Sequence, residues 1–130
     1  MPRAYTIATA ALALGLPAKW LDNALSHNQV RGIHQERQGV ARRLTIDGLL
    51  ILAIATLLIK ELGVTLASAL ELAQGMAVSD GTHTSAAGVK IHLDLEALKA
   101  RLLEQLANAV EIAPSPKRGR PAKNKTGRLE

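Results

Sequence analysis

Cysteine is absent from this chain, and aromatic side chains nearly so: there is Tyr5, Trp20 and no phenylalanine. Without cysteine there is no disulfide and no thiolate metal site, and a reducing compartment suits the composition. With so few aromatics, a core has to be assembled from Leu, Ile, Val and Ala, which suits helices packed on helices. The 130 residues, 48% of them apolar, suffice for one domain and a tail. A long apolar run is missing too. The most apolar stretch, "GLLILAIATLLI" at 48–59, would extend about 18 Å as a helix, against a hydrocarbon core of roughly 30 Å. It reads as a buried core helix, and no membrane is expected among the partners. Residues 6–16, "TIATAALALGL", follow Arg3 as a signal-peptide core would; they are read here as the first helix.

Charge is unevenly placed. Residues 1–43 carry a net +4, residues 44–116 a net −4, and residues 117–130 a net +5. Two basic regions flanking an acidic middle point to a polyanionic partner that meets both ends. The plainer reading of the tail is a solubilising extension.

Helical punctuation is clear in the first third. A helix over 6–14 stops at Gly15, a residue that tolerates positive φ. Pro17 opens a second helix that runs to Ser26 or His27. Trp20, Leu21, Ala24 and Leu25 share one face, with Trp20 expected as a core plug, and Lys19, Asp22, Asn23, Ser26 and His27 are left for the other. Two short helices across a tight turn make a helix-turn-helix. "VRGIHQERQGVARRLT" then alternates loosely around a polar centre. It reads as a β-hairpin over 30–35 and 40–45 with its tip at 36–39, decorated by Arg31, Arg37, Arg42 and Arg43.

A helix follows over 46–62, with Asp47 at its positive end and Gly63 as its stop. Its apolar residues cover nearly the whole circumference, so it must be buried all round, and part of that surface is expected to meet a second subunit. Another helix starts with Thr65 as N-cap. "AVSDGTHTSAAG" reads as a loop. "VKIHLDL" alternates as a strand, expected to join the hairpin or to pair with its twin across a dimer axis. An amphipathic helix over 96–110 carries a Leu98, Leu102, Leu106, Ala109 stripe. From Ala113 on there is almost nothing to bury, and a disordered basic tail is expected.

The order helix, turn, helix, hairpin, helix, with "YTIATAALALGLPAKWLDNAL" and "LGVTLASALELA", resembles the MerR-like winged helix-turn-helix and its excisionase relatives over about residues 5–75. The resemblance implies a second helix in the major groove, presenting Lys19, Asn23 and His27. It implies a wing touching neighbouring backbone through Arg31, Arg37, Arg42 and Arg43. One departure stands out: Asp22-Asn23-Ala24 occupies the place where such proteins commonly have an Arg followed by aromatics, so the reading head is weakly basic.

The tail, "PKRGRPAK", resembles an AT-hook with the core Arg118-Gly119-Arg120-Pro121. The narrow A·T minor groove has an enhanced negative potential that attracts arginine. Its floor offers only acceptors, whereas G·C adds an obstructing amino group. An extended Arg-Gly-Arg lays two guanidiniums along the groove, Gly119 lets the backbone sink in, and Pro121 steers the chain out. Lys117, Lys123, Lys125 and Arg128 are then placed for phosphates.

No constellation carries catalysis or a cofactor. The four histidines, His27, His34, His83 and His92, are scattered, and no metal site is expected of them. Asp94 and Glu96 read as helix N-terminal charges rather than catalytic carboxylates. The sequence therefore predicts a mainly α protein with a small β component: a winged helix-turn-helix over 1–76, a loop, strand and dimerising helix over 77–112, and a basic AT-hook tail over 113–130. The expected activity is non-enzymatic. It is binding of A+T-rich double-stranded DNA by a homodimer, in transcription regulation or nucleoid organisation, in the cytoplasm and nucleoid of a bacterial or phage system. Two rivals remain open: an RNA-binding protein using the tail as a polycation, and an adaptor whose acidic helical middle docks a protein.

Overall fold

A computed structural model describes residues 4–35 and 40–112. The hairpin tip at 36–39, with Arg37, lies outside the described residues. So does the tail from 113 on, with Lys117, Arg118, Gly119, Arg120, Pro121 and Lys123 and the expectation of disorder placed on it. The described chain is mainly helical, with a small antiparallel β component.

Strand β1 (Ala4–Tyr5) leads into helix α1 (Ile7–Leu14). Thr6 is the hinge between them: its Oγ1 accepts the Thr9 N–H at 3.1 Å and caps the first turn. Gly15 ends α1 in the left-handed region at φ 70°, where a β-carbon is penalised. Pro17 is the N-cap of α2 (Ala18–His27) rather than its first residue. Leu21, Ala24 and Leu25 of α2 are buried, as the spacing predicts, but Trp20 is 39% exposed. The expected core plug is therefore a half-open surface ring, because the inward stripe of α2 is narrower than four residues.

The hairpin is short. β2 (Ile33–His34) and β3 (Arg43–Thr45) pair antiparallel, with Ile33 opposite Leu44 and His34 opposite Arg43. β3 also pairs with β1, giving a three-stranded sheet in the order β1-β3-β2. Leu44, in the central strand, is fully buried. Thr45 closes the sheet and opens helix α3 (Ile46–Leu62): its N–H and Oγ1 both donate to the Gly32 carbonyl, at 3.0 and 2.7 Å, while Oγ1 accepts from Gly48 N–H at 3.3 Å. Here two glycines meet back to back. Gly32 has φ 87°, and a β-carbon on it would come within 2.6 Å of the Gly48 nitrogen; one on Gly48 would lie 2.9 Å from the Gly32 oxygen. The hairpin base is seated directly on the first turn of α3.

Most of α3 is buried within the single chain. Leu49, Ile51 and Ile54 are fully enclosed, and Leu50, Leu52, Ala55 and Leu58 nearly so. Its neighbours are α4 (Leu66–Val78), capped by Thr65, and α5 (Leu95–Ile112). Leu57 and Ile59 are only half-buried and Leu62 is 54% exposed, so one side of this apolar helix is left partly uncovered by the chain's own elements. The α5 stripe of Leu98, Leu102, Leu106 and Ala109 is likewise spent inside, against α1 and α3, and belongs to the same core as α2 and the sheet. Leu103 and Val110, beside the stripe, stay exposed.

The expected strand at 89–95 is shorter, and its partner is neither the wing hairpin nor a twin. β5 (Lys90–His92) pairs antiparallel with β4 (Thr82–Thr84), which arises inside the stretch read as a loop. Ser85 closes this second hairpin: its N–H donates to the Val89 carbonyl, and its Oγ accepts the Val89 N–H.

Candidate nucleic-acid interface

The outer face of α2 is open. Lys19, Asp22, Asn23, Ser26 and His27 are all exposed, because burying Leu21, Ala24 and Leu25 turns the opposite side of the helix to solvent. Two of these side chains are held in place by the helix itself. His27 Nδ1 donates to the Asn23 carbonyl at 2.9 Å, which leaves Nε2 for an outside partner, and Ser26 Oγ donates to the Asp22 carbonyl at 2.9 Å. Asn28 folds back in the same way onto the Ala24 carbonyl and finishes the helix.

The hairpin arginines separate into three situations. Arg42 is not presented outward. Its guanidinium reaches across to α2, donating to Asp22 Oδ1 and, at 3.1 Å, to Ser26 Oγ, and its side chain is only 14% exposed. Arg31 is turned the other way, onto α4: its backbone N–H donates to Gln74 Oε1 at 3.1 Å and its guanidinium to the Gln74 carbonyl at 3.0 Å. Arg43 is exposed on β3, directly opposite the exposed His34 on β2. The site residues expected from the sequence are therefore brought together in part. Lys19, Asn23 and His27 share the open face, Arg43 stands on the adjoining hairpin, and Arg31 and Arg42 are hydrogen-bonded within the chain.

An open cleft of about 530 Å³ separates the end of α2 from the hairpin. Asn28, Gln29, His34, Gln35 and Arg42 line it with polar groups over an apolar floor that includes Leu25 and Ile33. Gln35 Nε2 donates to the Val40 carbonyl at 2.8 Å, tying the two arms of the hairpin beyond the last paired residues. Sequence reasoning passed over Asp22 and Ser26 as partners of Arg42, and His34 as a neighbour of Arg43. Neither had a signal: the hairpin as read over 30–35 and 40–45 sets His34 opposite Ala41 instead of Arg43, and Asp22 and Arg42 are twenty residues apart on different elements.

Among the described residues no three His, Asp or Glu side chains come together as a metal would require. No described helix is long and apolar enough to cross a membrane. No protein-family model, curated protein or solved structure matches this chain.

Proposed function

We propose that this protein binds double-stranded DNA, preferring A+T-rich sequence, as a transcription regulator or nucleoid-associated protein. One arrangement supports the reading above all. A helix-turn-helix exposes the polar face of its second helix, and the Arg42–Asp22 contact sets the base of a basic hairpin against that face. The helix width matches the major groove, and Arg43 on the hairpin is placed for flanking phosphate. The Arg118-Gly119-Arg120-Pro121 sequence adds a minor-groove element of the A·T type. Two such tails in a homodimer would raise effective concentration, so that weak single contacts give useful avidity. Much of the affinity would be phosphate-driven and salt-sensitive.

A second reading has its own support. With Arg42 paired to Asp22 inside the chain, the tail holds a larger share of the free positive charge, as expected of a polycation acting on RNA.

Fluorescence anisotropy on A+T-rich duplex, G+C-rich duplex and structured RNA of equal length, at two salt concentrations, separates the two. The full chain is compared with its Arg118→Ala, Arg120→Ala variant. DNA reading through the tail predicts an A+T preference that the double substitution erases. Equal binding to all three nucleic acids, lost together on adding salt, would sink it in favour of the polycation.

A further inference from the structure

The contact between Arg42 and α2 has the chemistry of a phosphate contact turned inward. A guanidinium fork donates to an anionic oxygen, here Asp22 Oδ1, and takes a second anchor on Ser26 Oγ one helical turn further on. The carboxylate is 53% exposed and the arginine side chain 14%. The anion thus lies at the surface expected to meet DNA, with the cation tucked beneath it. Arg31 provides the contrast. Its partners are a neutral amide and a backbone carbonyl, so its charge is left uncompensated, whereas that of Arg42 is matched.

We propose that Asp22 is an internal phosphate surrogate: it occupies Arg42 in the free protein and so withholds one cation of the hairpin from a polyanion. This rests on the reading of α2 and the hairpin as the DNA-facing surface. Ion pairs open to solvent are weak, so a phosphate arriving at the groove between helix and hairpin competes with Asp22 for the same guanidinium. A backbone that fits both helix and hairpin displaces the carboxylate. One that touches only part of the surface meets a neutral pair and an exposed negative charge. Asp22 thereby lowers binding to poorly fitted polyanions more than to well-fitted ones. The same feature accounts for the acidic residue in an otherwise basic or neutral reading face.

The test is a double-mutant cycle in the full chain: wild type, Asp22→Asn, Arg42→Ala and both together, each titrated with a mixed-sequence duplex over a series of salt concentrations. Thermal melts confirm that all four fold. Neutralising one further phosphate steepens the slope of log affinity against log salt by about 0.9. Asp22→Asn is expected to raise low-salt affinity severalfold and to steepen the slope by about that amount, and the steepening should vanish in the Arg42→Ala background. If Asp22→Asn raises affinity equally with and without Arg42, Asp22 acts by repulsion alone and the proposal is overturned. It is overturned as well if Asp22→Asn weakens binding at unchanged slope, since the contact is then only a brace. Wild-type protein that binds no duplex at any salt would instead remove the DNA reading itself.

Discussion

Two glycines on helices should respond to alanine with opposite signs. Gly75 lies inside α4 with nothing within 4 Å of where a β-carbon would stand. Alanine there removes backbone freedom from the unfolded chain and improves helix propensity, worth about 0.8–1.0 kcal/mol. Gly48, in the first turn of α3, would gain up to about the same from propensity alone. Its β-carbon, however, would meet Ile33 Cγ1 at 2.6 Å and the Gly32 oxygen and carbonyl carbon at 2.9 and 3.0 Å. Ile33 is a side chain and can turn away. The Gly32 carbonyl cannot move easily, because it already accepts from both the N–H and the Oγ1 of Thr45. Forcing a methyl into a filled contact costs typically about 1–3 kcal/mol, which exceeds the propensity gain. Gly48→Ala is therefore expected to destabilise by up to about 2 kcal/mol and Gly75→Ala to stabilise by about 1 kcal/mol. For a domain of this size each kcal/mol moves Tm by about 4 °C, so circular-dichroism melts of the two variants should diverge on either side of wild type. A Gly48→Ala protein melting at or above wild type would refute the close seating of the hairpin on α3.

Other substitutions test the same architecture. Ile54 is fully buried among helices of one chain, so Ile54→Asp should abolish cooperative unfolding in circular dichroism; a folded, dissociated monomer would mean the helix was covered by a partner. Thr45→Ala removes both the α3 cap and a donor to Gly32, and should lower stability by about 0.5–2 kcal/mol in urea titrations; an unchanged midpoint would discount the cap. Trp20 is the sole tryptophan and is partly open on α2. Its fluorescence should be quenched by acrylamide in the free protein and shielded when duplex is added; equal quenching in both states would take α2 away from the DNA.

Local signals carried the helices well. Gly15, Pro17, Gly63 and Thr65 each mark a boundary through their own backbone or hydroxyl chemistry, and neighbours in sequence are neighbours in space. The hairpin was legible for the same reason, though its paired part is shorter than the alternation suggests. Strands β1 and β4 were not. Each has two or three residues, too few for a period, and each exists because another strand supplies its hydrogen bonds.

By itself the sequence determined the helical class, the order of the helices and the open polar face of α2, because composition, caps and period are local quantities. Only the tertiary structure decided that most of α3 and the α5 stripe are buried inside one chain. Burial depends on which faces are brought together, and a hydrophobic face carries no mark of its partner. The tertiary structure also decided which arginines are available. Arg31, Arg42 and Arg43 are chemically equal in the sequence. Gln74 stands beside the first, Asp22 and Ser26 beside the second, and open solvent beside the third. A guanidinium is spent or free according to the acceptors that folding brings within 3 Å or so of it.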